Sequence, residues 1–143
     1  MINPWIKVLG AKNVLNAFEK RFGEYADNLE AAATAGALVL ENAARDKAPY
    51  KTGTLKRSLT HETIEKSPDA AYVAVGTNLE YAAVQEFGGT IKSKSGYLVF
   101  QTEDGQWHSV PSVSVPARPY LRPALDENRG RIVDEVKRVL KGL

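Results

Sequence analysis

The chain has 143 residues, 43% hydrophobic and 25% charged, enough apolar material for a packed core and too much for wholesale disorder. Its 19 Lys and Arg against 17 Asp and Glu leave a net charge of +2, too small a surplus to mark a nucleic-acid binder. The absence of cysteine removes disulfides, thiolate metal ligands and cysteine nucleophiles together.

No stretch approaches the roughly 18 consecutive apolar residues of a membrane-spanning helix. The N-terminus also lacks the charged and apolar regions of a signal peptide. A soluble protein made in the cytoplasm is expected, as a single domain over residues 1–143. Within residues 1–10, Trp5-Ile6-Lys7-Val8-Leu9 reads as a short strand or an N-terminal arm.

From Leu15, apolar or small residues recur at 15, 18, 22, 25, 29, 32, 36, 39 and 43. This three-four spacing predicts one helical face over about four heptads. Gly23 and Gly36 each weaken that helix by roughly 1 kcal/mol relative to alanine, so a break near Gly23 is expected. The run Ala31 to Ala37 is small enough to let another backbone approach closely, either within the domain or across a coiled coil.

Pro49 ends the helix, because the residue before a proline is pushed out of the α region. Ala48 to Ser58, with Pro49, Thr52, Gly53 and Leu55, reads as a turn followed by about one helical turn. Lys47, Lys51, Lys56 and Arg57 make it basic, but a single glycine cannot build a phosphate-binding cradle. Leu59 to Lys66 alternates loosely and stops at the turn signal Ser67-Pro68-Asp69. Ala70 to Val75 is nearly continuous in apolar residues, the pattern of a strand buried on both faces.

Next comes Gly76-Thr77-Asn78-Leu79-Glu80-Tyr81-Ala82-Ala83-Val84-Gln85-Glu86-Phe87-Gly88-Gly89. Thr77 and Glu80 have the spacing of a capping box, and Gly88 can take the positive φ that stops a helix. A helix of two to three turns between two β elements is therefore predicted. Farther on, Tyr97 to Thr102 and Trp107 to Val110 flank Glu103-Asp104-Gly105-Gln106, a strong hairpin signal. Pro111 and Pro116 restrict Ser112 to Val115 to an edge strand or connector. The proline-fixed elbow Pro116 to Ala124 leads into a final helix, with Pro123 in its first turn. Leu121, Leu125, Ile132, Val136 and Leu140 form the helix's apolar stripe, and Lys137, Arg138 and Lys141 complement its C-terminal dipole.

Catalytic chemistry finds little support. His61 and His108 fall in separate predicted strands and lack any metal-binding spacing. No Gly-x-Ser-x-Gly elbow is present. Glu86 reads as a polar contact or a partner for an arginine, and Arg118 and Arg122 are the cations the elbow presents. Tyr81 and Phe87 read as packing and contact residues. A small basic nucleic-acid-binding module using residues 47–57 and 137–141 is the alternative in another class, and a histidine-based hydrolase is a third.

Three clusters, taken in order, carry a resemblance. They are Ala48-Pro49-x-x-Thr52-Gly53-x-Leu55-x-x-Ser58, Gly76-Thr77-Asn78-x-x-Tyr81-Ala82-x-x-x-Glu86-Phe87-Gly88, and Ala117-Arg118-Pro119-Tyr120-Leu121-Arg122-Pro123-Ala124. Together they resemble the tail-completion proteins of long-tailed bacteriophages and prophages, also described as head–tail joining, minor tail or virion morphogenesis proteins. The likeness runs from about Ala48 to Leu125. Departures are the Gly88-Gly89 doublet and the long stretch from Lys92 to Val110.

The resemblance implies an α+β fold with a small, mostly antiparallel sheet of about four to five strands. A long N-terminal helix, a short central helix and a C-terminal helix would pack on it. It also implies a non-enzymatic virion protein of the tail or neck, without cofactor or metal. Such a protein would be a homo-oligomeric ring joining the tail tube to the head connector, with DNA passing through its lumen. The interface candidates are Pro49, Thr52, Gly53, Leu55, Thr77, Tyr81, Glu86, Phe87, Gly88, Gly89, Arg118, Pro119, Tyr120 and Arg122.

Overall fold

The computed structural model describes the backbone of residues 3–8 and, with their surroundings, residues 26–67 and 69–142. The predicted break at Gly23 and the first positions of the apolar stripe lie outside the described residues. The chain forms two compact units, one of residues 1–79 with 120–143 and one of residues 80–119.

The first unit is an α+β fold. Its sheet has the order β1 (Asn3–Val8), β3 (Ala70–Thr77), β2 (Thr60–Ser67), with both pairings antiparallel. Among the described residues it also has two long helices, α1 (Ala26–Lys47) and α4 (Leu121–Lys141), and the single turn α2 (Thr54–Ser58). β3 is the central strand and is buried at every position but Tyr72, as its unbroken apolar run predicts. Ala71 of β3 packs with Leu29 and Ala32 of α1 and Leu140 of α4, so sheet and both helices share one core.

The buried face of α1 runs through Leu29, Ala32, Gly36, Ala37, Leu40 and Ala44. The predicted stripe coincides with it at 29, 32 and 36 and then leaves it, since Val39 and Ala43 are only half-buried. A strict three-four alternation has a period of 3.5, and a straight α-helix drifts about 20° per heptad from that period. Gly36 explains why a glycine sits mid-helix. A Cβ there would lie 2.9 Å from Val136 Cγ2 and 3.2 Å from Ile132 Cγ2, so its absence lets α4 close onto α1. The close approach expected of the small-residue run is thus made within the chain's own fold. On α4, Leu121, Ala124, Ile132 and Leu140 are buried, while Leu125 and Val136 are half-buried beside them.

β2 is a sheet edge and largely polar. Its register against β3 shifts between Thr63 and Glu65. One extra residue reverses the alternation of side chains, so His61, Thr63 and Lys66 all reach α1.

The second unit begins with the short helix α3 (Ala82–Phe87). The predicted capping box does not form. Thr77 ends β3 in register with Asn3, and its Oγ1 accepts the Leu79 N–H at 3.2 Å. Tyr81 takes the N-cap position without a side-chain hydrogen bond. The strand outlasts its apolar run because Thr77, 1% exposed, is held by sheet pairing and a second hydroxyl. The C-terminal half of the expectation holds: Gly88, at φ 71°, caps α3 by donating its N–H to Val84 O.

Beyond α3 the chain forms an antiparallel ribbon. β4 (Gly89–Lys92) pairs with β7 (Ser112–Val115), and β5 (Leu98–Gln101) pairs with β6 (Trp107–Val110). Residues 93–97 lie opposite Pro111 alone, and Ser93 N–H donates to Pro111 O at 3.1 Å. Pro111 falls where the ladder is interrupted, so its missing N–H costs no pairing. The hairpin at Asp104-Gly105 is present, with a longer turn than a two-residue loop. Only Gly105 has positive φ, and Thr102 and Gln106 close the turn by a backbone bond. A regular turn followed by one left-handed glycine is the next commonest hairpin solution. The strands therefore exceed the four or five expected, because three form the packed sheet and four more form the ribbon.

Candidate assembly surface

The β5–β6 end of the ribbon displays apolar side chains that nothing among the described residues covers. Directly paired residues share a face, so Val99, Gln101, Trp107 and Ser109 line one side, with Tyr97 just before β5. Trp107 is 70% exposed, and Tyr97 and Val99 are each 66% exposed. On the other side Phe100 stacks on His108, with ring centroids 5.7 Å apart. A lone two-stranded ribbon is marginal in water, and clustered exposed aromatics mark a surface for another molecule. The turn at its tip is acidic. Hydrogen bonds from the Thr102 hydroxyl and the Gln106 N–H hold the Asp104 carboxyl below its ordinary pKa.

The three sequence clusters are joined in pairs. Leu55 is buried in α2, and Ser58 Oγ at its end shares a 2.7 Å hydrogen bond with Thr77 Oγ1. The two hydroxyls, 19 residues apart, tie the first cluster to the second. Gly53 is the N-cap of α2 at φ 74°, and Thr52 Oγ1 meets Thr54 Oγ1 at 2.8 Å. A side chain at Gly53 would run into Tyr50 Cε2 at 2.9 Å. Pro49 follows the C-terminus of α1 and is half-buried.

In the second unit, Arg118 N–H donates to Gln85 O at 2.7 Å. A Cβ on Gly88 would lie 2.8 Å from Ala117 N, so the second cluster also abuts the third. Glu86 is buried, Phe87 and Tyr81 are exposed, and Gly89 opens β4. Arg118 and Pro119 are exposed. Tyr120 and Leu121 are fully buried in the first unit, with Arg122 exposed beside them. Gly53, Leu55, Thr77, Glu86, Gly88 and Tyr120 are thus buried or hold the backbone, Pro49 is half-buried, and Thr52, Tyr81, Phe87, Gly89, Arg118, Pro119 and Arg122 are exposed.

The sequence reading missed a buried ionic group on α1. Glu41, 4% exposed, pairs through Oε1 with Arg45 Nη2 and through Oε2 with His61 Nδ1, both at 2.5 Å. Arg45 Nη2 also donates to Leu59 O at 2.7 Å. The available signal was a Glu and an Arg four residues apart on the buried side of a helix, a spacing that brings them together. His61 does face a carboxylate, but Arg45 holds the other oxygen, and the group functions as a clamp between β2 and α1. Nearby, Lys66 bridges Asp27 and Glu30 at 2.7 and 2.9 Å. Its ammonium holds both carboxyls below the ordinary range, and they raise the lysine.

Two of the basic residues considered for nucleic acid are neutralised locally. Lys47 pairs with Glu127 at 2.6 Å and Arg138 with Glu135 at 2.6 Å. Among the described residues there is no cluster of three His, Asp or Glu able to hold a metal ion. None of the described helices is long and apolar enough to cross a membrane.

A second surface lies between the helices. An open groove of about 660 Å³ is floored by Ala35, Leu38, Val39 and Ala43 of α1 and walled by Arg131 and Glu135 of α4, among others. Leu38 is 42% exposed there.

The described residues form a small α+β core and a two-stranded ribbon with an exposed apolar face. The chain belongs to the HK97-gp10-like family, described as "Bacteriophage HK97-gp10, putative tail-component", which it matches over residues 12–88. That span contains the first two clusters and stops at Gly88, so the ribbon and the third cluster lie beyond it. No curated protein and no solved structure matches the chain. The family carries a structural role in the phage tail.

Proposed function

We propose that this protein forms a ring at the head-proximal end of the tail or in the neck, completing the tail and joining it to the head connector. The observation that carries the reading is the ribbon face of Tyr97, Val99 and Trp107, which a protein of the tail-component family leaves two-thirds exposed. A closed ring needs two different patches on each subunit, which meet around the cycle. The ribbon supplies one. The exposed elbow residues Arg118, Pro119 and Arg122 border another in this reading, and DNA passes through the lumen.

Light scattering and negative-stain imaging test it, on the protein alone and mixed with purified tails and head connectors. Closed rings, or rings on tail ends, are the expected result. A chain that stays monomeric alone and also fails to join tails or connectors overturns the proposal.

A further inference from the structure

We propose that the β5–β6 end of the ribbon docks into the α1–α4 groove of a second copy of this chain. Trp107 enters beside Leu38 and Val39, and Glu103 meets Arg131. This inference rests on the ring reading and takes the groove as the patch that receives the ribbon, with the elbow at Arg118 to Arg122 as a separate contact.

The groove floor is aliphatic and small, with alanines at 35 and 43 on either side of Leu38 and Val39. Such a floor accepts a large flat side chain, and the ribbon presents an indole that is 70% exposed. The charges are complementary. Residues 97–110 carry Glu103 and Asp104 and no Lys or Arg, a net −2 with histidine neutral. The groove lining carries Lys47, Arg131 and Arg138 against Asp46 and Glu135, a net +1. Within it, Lys47 and Arg138 have carboxylate partners, whereas among the described residues Arg131 bonds the neutral Asn128 Oδ1, at 3.0 Å, and no carboxylate. Among the described residues Arg131 is therefore the groove cation placed to meet an acidic visitor. A nucleic-acid backbone would instead meet Asp46 and Glu135, which argues for a protein segment.

The contact is heterologous, ribbon to groove, so each copy uses both surfaces and the chain of contacts can close. Aromatic side chains bury roughly 150–250 Å² each. Tyr97, Val99 and Trp107, two-thirds exposed, therefore offer on the order of 300–400 Å². That is about half of the roughly 800 Å² per partner in a standard interface. One such contact is weak alone and is reinforced by repetition around a ring, so cross-linking is a better readout than elution volume.

The cysteine-free chain makes the experiment clean. Asn42→Cys places a thiol in the groove lining, and Ser109→Cys places one on the Trp107 face at almost no change in size. The two single variants are mixed under assembly conditions and treated with a short bismaleimide. The expected product is a covalent dimer containing one chain of each kind. Adding Trp107→Ala to the Ser109→Cys chain should lower its yield at least about tenfold, as for a buried tryptophan anchor. The exposed Trp107 side chain makes an unchanged melting temperature the control for folding.

Oligomers that form without the mixed cross-link overturn the ribbon-in-groove contact and leave the ring reading standing. Absence of both oligomer and cross-link, with tails and connectors present, overturns both. A double variant that cross-links within one chain at high dilution shows the ribbon on its own groove and also overturns the proposal.

Discussion

Replacing Gly88 by alanine tests the geometry that joins α3 to the ribbon. Gly88 sits at φ 71° and ψ 177°, a region open essentially to glycine alone. Placing an L-residue there costs about 1–3 kcal/mol. The new Cβ would also lie 2.8 Å from Ala117 N and 3.1 Å from Val115 O. Both are backbone atoms, at the end of β7 and two residues beyond it, so no rotamer change relieves the overlap. Forcing a packed backbone to shift adds about 1–3 kcal/mol. The sum, roughly 2–6 kcal/mol, corresponds to a fall in melting temperature of about 6–20 °C for a chain of this size. Gly88 lies in the second compact unit, so the loss can also appear as local opening. Thermal melts are therefore paired with limited proteolysis of residues 89–119, and valine should be worse than alanine. An alanine variant with unchanged melting and unchanged cleavage refutes the reasoning. Gly130→Ala is the counterpart: Gly130 is exposed within α4, and an added Cβ meets nothing within 4 Å. It should stabilise by about 1 kcal/mol through helix propensity alone.

Glu41→Ala removes the buried carboxylate shared by Arg45 and His61, and urea unfolding should show a loss of about 2–3 kcal/mol. This is less than for a fully buried pair, because Arg45 and His61 are 36% and 29% exposed. Asp27 and Glu30 have folded pKa values below their unfolded ones, owing to Lys66. Their contribution is present above the ordinary carboxylate range and disappears as pH falls through the lowered values. The urea midpoint of Lys66→Met should therefore lie below the parent's at neutral pH and converge with it in acid. A gap that stays constant with pH would contradict that linkage. Arg118→Ala keeps the backbone bond to Gln85 and removes an exposed side chain, so stability should change by less than about 0.5 kcal/mol. Ring formation should weaken in that variant, and a folding defect would reassign Arg118 to holding the monomer together.

Elements whose signal lies within a few residues were readable from the sequence. The unbroken run Ala70 to Val75 is the central strand, Asp104-Gly105 is a hairpin tip, and Pro123 lies in the first turn of α4. Gly88 stops its helix as its freedom at positive φ suggests. Each of these depends on backbone sterics or on local burial, which travel with the residues. The failures depended on partners distant in sequence. Thr77 has the spacing of a helix cap, but pairing with Asn3 and the Ser58 hydroxyl keep it in a strand. The predicted α1 stripe has a period of 3.5, whereas α1 buries Ala37, Leu40 and Ala44, where α4 and β3 pack on it.

The sequence alone determined the class of fold, the position of most elements and membership in a phage tail-component family, which rest on local patterns and ordered clusters. Tertiary structure decided which residues meet. It placed Gly36 under Val136, tied Glu41 to Arg45 and His61, and divided the strands between a packed sheet and a ribbon. It also left Trp107 facing outward rather than inward, which no alternation along a four-residue strand could settle. Both faces of such a strand are equivalent until something packs against one of them.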